Sequence, residues 1–272
     1  MLRYGLLPVL IRLLYRPPGA FLPDRRRGRT GKSDFLALYV LADLHLSHSS
    51  DKPMDVFGAR WENHTEKILN NWQSAVGSGD TTVIPGDLSW GMNFGNTAED
   101  LRFVHELNGR KLIGKGNHDY WWQTMRKLNA FKEENGFSSI DFLFNNAFYE
   151  QGFIICGTRG WTVSEKPSAE DERILMRESG RLRISLECGK KLKESAPEDT
   201  ETLVFMHYPP AVGETVYEPF AELFAEYGVK RCFYGHIHAA KAENLAARAG
   251  QTRLYCVSAD MINFKPMRID RV

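Results

Sequence analysis

Leu36-Ala37-Leu38-Tyr39-Val40-Leu41-Ala42 runs straight into Asp43-Leu44-His45, so that an apolar, strand-like stretch ends on an acid and an imidazole. The same junction recurs along the chain. Thr81–Pro85 is followed by Gly86-Asp87, Lys111–Lys115 by Gly116-Asn117-His118-Asp119, Thr202–Met206 by His207, and Arg231–Tyr234 by Gly235-His236-Ile237-His238. Taken singly, each junction is weak: an Asp-x-His after a strand is often a turn, and a lone histidine is more often a satisfied core residue than a ligand. Recurrence in order, each time directly after a strand, is a different matter. In open α/β sheets ligands sit beyond the carboxyl ends of the strands, so clusters far apart in sequence are expected to meet in space.

Between the strands lie amphipathic stretches with helical spacing. Helices are expected at Glu62–Val76 (Ile68, Leu69, Trp72 and Val76 on one face), Ala98–Leu107, about Trp121–Glu134, Ala169–Lys193 and near Pro219–Tyr227. Asp141–Gly157 reads as two strands in a hairpin-like pair, and Arg253–Ser258 and Pro266–Asp270 as two closing strands. Alternation of this kind assigns the α/β class.

At 272 residues with 43% hydrophobic and 25% charged side chains, the composition is that of a soluble globular protein able to bury a sizeable core. The four cysteines (Cys156, Cys188, Cys232, Cys256) show no CxxC spacing. They are expected to be buried apolar residues in a reducing, cytoplasmic setting. The net charge of +1 hides an asymmetry: eight basic and two acidic residues in 1–35 leave 27 basic and 32 acidic beyond, or −5. An acidic body is a poor match for a nucleic-acid track. Leu6–Leu14, broken by Pro8 and Arg12, is too short to span a bilayer, and no clean signal-peptide cleavage site follows it. Gly31-Lys32-Ser33 fails as a P-loop because position 26 is Arg26. Residues 1–35 are therefore expected to be a disordered basic arm or sequence translated from a misplaced start, and 36–272 a single domain.

The clusters DLH, GDL, GNHD, H and GHIH resemble the signature of the calcineurin-like metallophosphoesterase superfamily, from about Leu36 to the C-terminus. The longer stretches KPMDVFG (52–58), NHTEKI (63–68), GNHDYWW (116–122) and GTRGW (157–161) are similar to a bacterial group of phosphohydrolases within it. The resemblance implies a four-layer α/β/β/α sandwich of two mixed sheets. It implies two divalent ions, one on Asp43, His45 and His238, the other on Asn117, His207 and His236, with Asp87 bridging. It further implies hydrolysis of a phosphomonoester or phosphodiester by hydroxide activated between the ions. His118 would assist the leaving group and Asp119 would fix its tautomer. Nitrogen and oxygen ligands without thiolate suit Mn²⁺, Fe²⁺/Fe³⁺ or Zn²⁺ and suit Ca²⁺ poorly. With two dications, two carboxylates and a hydroxide the site keeps a charge of roughly +1, which draws an anion.

Around these motifs the readings stay open. The polar connection Ser47–Arg60 is either a substrate-facing lid or a surface loop. Substrate roles are considered for His64, Trp121, Arg159 and Tyr208. Each has a plain structural counterpart: packing around a helix start, helix packing, a salt bridge, or a strand-end residue. His105 is expected to be structural. The absence of an arginine after Gly86-Asp87 and the GNHD spelling argue against protein serine/threonine phosphatases. The chain length and acidic body argue against repair nucleases. A small phosphoester, nucleotides included, is the expected substrate. The alternative is a catalytically silent metal-binding scaffold or interaction module of the same fold.

Overall fold

A computed structural model describes residues 36–241 and 245–271. The expectation for the basic arm lies outside the described residues. In chain order the strands are β1 (Leu38–Val40), β2 (Thr81–Ile84), β3 (Arg110–Ile113), β4 (Ile140–Phe142), β5 (Ala147–Glu150), β6 (Phe153–Thr158), β7 (Glu201–Met206), β8 (Ala211–Val212), β9 (Thr215–Val216), β10 (Arg231–Tyr234), β11 (Arg248–Ala249), β12 (Thr252–Cys256) and β13 (Met267–Ile269). The helices are α1 (His64–Ala75), α2 (Phe94–Glu106), α3 (Met125–Glu134), α4 (Ala169–Lys193) and α5 (Glu218–Glu226).

One sheet has the order β13-β1-β2-β3-β4 and the other β11-β12-β10-β7-β6-β5. β1 to β4 run parallel, as do β6, β7, β10 and β12; the antiparallel strands β13, β5 and β11 lie at the edges. The parallel strands are buried on both faces, which is why they read as unbroken apolar runs rather than alternating ones. Along β1 the side chains divide with period two. Leu38 and Val40 join Val83, Leu112, Ile155, Leu203, Phe205 and Phe233 in a core between the sheets. Tyr39 and Leu41 face the other way, onto Ile68, Trp72, Leu101, Val104 and Leu128 of α1, α2 and α3. On the far side, Ile154, Val204 and Cys232 meet Leu182 and Leu186 of α4 and Phe220 and Phe224 of α5. The result is the expected helix–sheet–sheet–helix sandwich.

The two sheets are stitched where their strands end. Ala42 N–H donates to Val257 O (2.9 Å) and Ala259 N–H to Ala42 O (3.0 Å), an isolated parallel bridge between Ala42 and Ser258. Ala42 immediately precedes Asp43, so the two layers are joined at the end where the polar clusters emerge.

Several elements differ from expectation. The hairpin expected within Asp141–Gly157 is β5–β6, at one edge of the second sheet, whereas the first residues of the segment belong to β4, which completes the first sheet. The β5–β6 turn has Gln151 and Gly152 both at positive φ (53° and 82°), as a tight two-residue turn requires. The helix expected from Trp121 begins at Met125, behind an N-cap in which the Thr124 side chain accepts from Lys127 N–H. Segment 47–60 is largely exposed; it holds the 3-10 turn Met54–Phe57 and runs into a second, Ala59–Trp61, with Met54 and Trp61 buried as anchors. Of the four cysteines, Cys156 and Cys232 are buried and Cys188 and Cys256 are half-buried. Among the described residues no helix is long and apolar enough to cross a membrane.

Lys111 is fully buried in β3, and its ammonium donates to the carbonyls of His105 (3.1 Å), Leu107 (2.6 Å) and Gly109 (2.7 Å). It thereby closes the end of α2, whose last carbonyls have no partner within the helix. Burial pulls its pKa down to about 7. Lys111→Met keeps the stem but orphans the Leu107 and Gly109 carbonyls, while His105 O keeps the Ser139 hydroxyl (2.9 Å). Chemical denaturation is expected to show a loss of about 3 kcal/mol.

Candidate metal centre

The clusters named in the sequence do converge. At the exits of β1 and β2 the backbone is forced into the left-handed region at Asp43 (φ 59°), His45 (φ 45°) and Asp87 (φ 50°), and again beyond β10 at His236 (φ 69°). Non-glycine residues adopt that region rarely and at a cost, so a concentration of them marks a place where side-chain aim overrides backbone comfort. The adjoining glycines have a steric reason to be there. A Cβ on Gly86 would lie 2.5 Å from Gly116 N, one on Gly116 2.0 Å from Asp87 Oδ1, and one on Gly235 2.5 Å from Asp43 Oδ2.

The resulting cluster is dense in lone pairs. His45 Nε2 faces His238 Nε2 at 3.3 Å. Asp87 Oδ2 lies between His45 Nε2 (3.8 Å) and His207 Nε2 (3.5 Å), while its Oδ1 accepts from His118 N–H (2.8 Å). Asn117 Oδ1 is 2.6 Å from His207 Nε2 and 2.9 Å from His236 Nδ1. His207 Nδ1 stands 3.5 Å from Asp43 Oδ1. Two triads, Asp43/His45/His238 and Asp43/Asp87/His207, each bring one donor atom per residue to within 4.8 Å of the others.

The donor set fits divalent ions on two independent grounds. Asp43 Oδ1, His45 Nδ1 and His207 Nδ1 are buried without a hydrogen-bond partner, a costly state for polar atoms that have nothing to bind. Burial also makes the cluster resist its own charges. It raises Asp43 to about 6, and it drives Asp87 well above the carboxylate range, helped by Asp119 and Asp43. The imidazoles of His45 and His207 are pushed well below their ordinary value by burial and by neighbouring histidines, and His236 falls to about 4 for the same reasons. In His238 burial is outweighed by the hydrogen bond to Asp260, and its pKa rises. Histidine ligates metals as the neutral imidazole, and a bound cation would offset the cost of ionising the buried Asp43 and Asp87 carboxyls.

Asp119 plays a part different from the one expected. Its Oδ2 accepts from Asp87 N–H (2.9 Å) and Gly116 N–H (2.7 Å). Its Oδ1 accepts from Leu88 N–H (3.0 Å), Ser89 N–H (3.4 Å) and the Trp121 indole (3.1 Å). With both oxygens engaged by the loops, Asp119 does not orient His118, whose Nδ1 has no hydrogen-bond partner. The His118 ring is held by packing instead. Its centroid lies 4.2 Å from that of Trp90, which also stacks on His45 at 5.1 Å and donates its indole N–H to Met54 Sδ (3.2 Å).

Four further residues had open readings. Trp121 is fully buried against Trp122 and Phe142, so it belongs to the core and not to a binding surface. His64 is buried beside Trp61 with Nε2 3.3 Å from His45 O, which supports the first ligand loop from beneath rather than facing a substrate. Arg159 lies over the Trp161 ring (4.7 Å) and 3.9 Å from the buried Glu178, with its Nε unpartnered. Tyr208 is buried with its ring 4.2 Å from His236. His105 is structural as expected, bonded to Ser139 (2.8 Å).

Sequence reading missed Trp90 and Asp260. Asp260 Oδ1 is 2.8 Å from His238 Nδ1, and its Oδ2 accepts from Ala239 N–H (3.0 Å) and Arg60 (3.1 Å). A carboxylate bonded to the inner nitrogen of a histidine fixes its tautomer and leaves Nε2 free to ligate. Both residues had a legible signal: Trp90 lies three positions beyond Asp87, and Asp260 lies just past the strand β12.

Residues 36–240 match the family model for calcineurin-like phosphoesterases. The chain is 33% identical over 81 residues to the Gene 66 protein of Mycobacterium phage L5; the match spans 30% of this chain and 39% of that protein's own length. In fold, it is similar to the TT1561 protein of Thermus thermophilus (12% identity, TM-score 0.52, covering 88% of this chain and 100% of that one). It is similar also to the phosphopantetheinyl hydrolase of Mycobacterium tuberculosis (11% identity, TM-score 0.50, covering 86% and 95%). Asp260→Asn should weaken binding of one Mn²⁺ by about 10- to 100-fold in calorimetric titration, with the melting transition little changed.

Proposed function

The chain belongs to the calcineurin-like phosphoesterase family, hydrolases of phosphoester bonds, and from that premise we propose that it cleaves a small phosphomonoester or phosphodiester, nucleotides included, on a pair of divalent ions. The observation that carries this is the meeting of Asp43, His45, Asp87, Asn117, His207, His236 and His238 from both sheets around buried, unpartnered lone pairs. Asp43, His45 and His238 would hold one ion and Asn117, His207 and His236 the other. Asp87, whose Oδ2 faces histidines of both groups, would be shared. Manganese, iron or zinc suits this mixture of imidazole, carboxylate and amide oxygen. The bound ions would supply Lewis acidity, acidifying water and offsetting charge on the phosphoryl oxygens.

The remaining work falls to the protein's own side chains. His118 is half-buried at the edge of the cluster, and its pKa is lowered by burial and by His238. Held against Trp90, it is the group that would deliver a proton to the departing oxygen. Asp119 acts at one remove, keeping the Asp87 and Asn117 loops in register. Trp61 and Trp90 wall the His45 side against water. Arg159, one residue beyond β6, is a guanidinium candidate for a substrate oxygen, and Tyr208 braces His236.

The test is hydrolysis of a nitrophenyl monoester and a bis-nitrophenyl diester by Mn²⁺-loaded protein. Turnover should vanish with chelator and return with metal. His118→Ala should lower kcat by about 10²- to 10⁴-fold with metal binding intact. Metal bound at both sites with no turnover on esters, nucleotides or pyrophosphates would leave the scaffold reading standing.

A further inference from the structure

The second sheet has two ends, and only one is used by the metal cluster. Because β6, β7, β10 and β12 run parallel, their carboxyl ends feed Arg159, His207 and His236, while their amino ends gather at the opposite pole. A cavity of about 600 Å³ opens there, lined by the first residues of β6, β7 and β10, by Arg253 and Tyr255 of β12, by the last residue of α4 and by Gly228 and Lys230 between α5 and β10. Its volume falls in the range of pockets that take drug- or nucleotide-sized ligands.

The cavity is strongly basic in a body that is not. Six basic side chains line it (Lys193, Lys230, Arg231, Arg248, Arg253 and Arg271) against three acids, Glu198, Asp199 and Glu201, a local balance of +3. Residues 36–272 as a whole carry −5. Glu201 is committed to Arg231 through paired contacts, Nε to Oε1 at 2.9 Å and Nη2 to Oε2 at 2.5 Å. That pair sits in the floor, where the Arg231 guanidinium also covers the Phe153 ring at 5.7 Å. Among the described residues, Lys193, Lys230, Arg253 and Arg271 have no carboxylate within ion-pair distance. Arg271 is seated over Gly152, where a Cβ would lie 1.7 Å from its Nη2. Like charges gathered around a concave wall raise the local potential and cost stability unless an anion offsets them.

We propose that this cavity is a second binding site, for a small polyphosphorylated molecule, separate from the metal centre. Guanidinium forks and ammonium groups arranged around one volume match the several anionic oxygens of linked phosphates. The concave, solvent-open form suits a small molecule, whereas a nucleic-acid track needs an extended basic surface. Tyr255, half-buried in the wall and stacked on Phe233 at 5.1 Å, offers a flat face for the non-phosphate part. None of the residues named belongs to the metal cluster, so the proposal does not depend on the phosphoesterase reading.

The experiment is calorimetric titration of the full chain with inorganic tripolyphosphate at low salt. Chelator is kept present so that no divalent ion carries the anion to the metal centre. Saturable binding is expected with a Kd of about 1 mM or tighter, and the double variant Lys230→Glu/Arg253→Glu should lose at least about tenfold of it. Both residues are exposed, so the variant is expected to fold, and an unchanged melting transition checks that. Citrate serves as the competing anion and should bind more weakly. The proposal is overturned if tripolyphosphate shows no saturation, if the double variant binds it as well as the parent does, or if citrate binds equally well.

Discussion

Both oxygens of Asp119 are taken by amide and indole hydrogens belonging to two different loops, and the geometry of the whole centre hangs on that. The Asp87 loop leaves β2 and is bonded through its backbone to the Asp43 loop on one side (His45 N–H to Asp87 O 3.0 Å, Leu46 N–H to Leu88 O 2.9 Å); the Gly116 loop leaves β3 on the other side. A fully buried carboxylate with five donors ties the Asp87 loop to the Gly116 loop. It also explains why Gly86 and Gly116 can approach so closely that neither tolerates a Cβ. The carboxylate adds a negative charge that pushes Asp87 up. The residue that builds the site therefore also makes it electrostatically hungry for cations.

A second constraint is that the centre belongs to no single layer. Asp43, His45, Asp87 and Asn117 come from the exits of one sheet, His207, His236 and His238 from the other. The Ala42–Ser258 bridge sets the distance between them. Sliding one sheet past the other by a single residue, about 3.3 Å, would carry His207 away from Asp43 and Asp87, which belong to the other sheet. The apolar inter-sheet core and the polar centre thus enforce the same alignment.

The strand-to-cluster junctions made the fold and the main cluster legible because a parallel sheet imposes one rule on every ligand loop. α4 was readable to the residue, since its capping box of Ser168 and Asp171 marks a sharp start. Residues whose meaning depends on tertiary neighbours could not be read this way. Nothing in the order His118-Asp119 reveals that the carboxylate points away from the imidazole. For Trp121 position alone left a cleft role and packing both open; its indole reaches inward to Asp119. The split of Asp141–Gly157 between two sheets was hidden because three short strands so close together read as two, the end of β4 merging with the β5–β6 hairpin. Asp260 was overlooked because it stands alone, without the glycine or histidine that flags the other strand ends.

Strand β13 returns from the second sheet to the outer edge of the first, where it pairs antiparallel with β1. Strands β1 to β4 are synthesised early, yet β1 stays an open edge until Met267–Ile269 has been made. On the ribosome the first half of the molecule therefore waits with an unpaired strand exposed, the kind of edge to which a chaperone or a neighbouring nascent chain can add. The ends of the domain meet as neighbouring strands, so a circular permutant opened at a distant surface loop would let β13 and β1 emerge together.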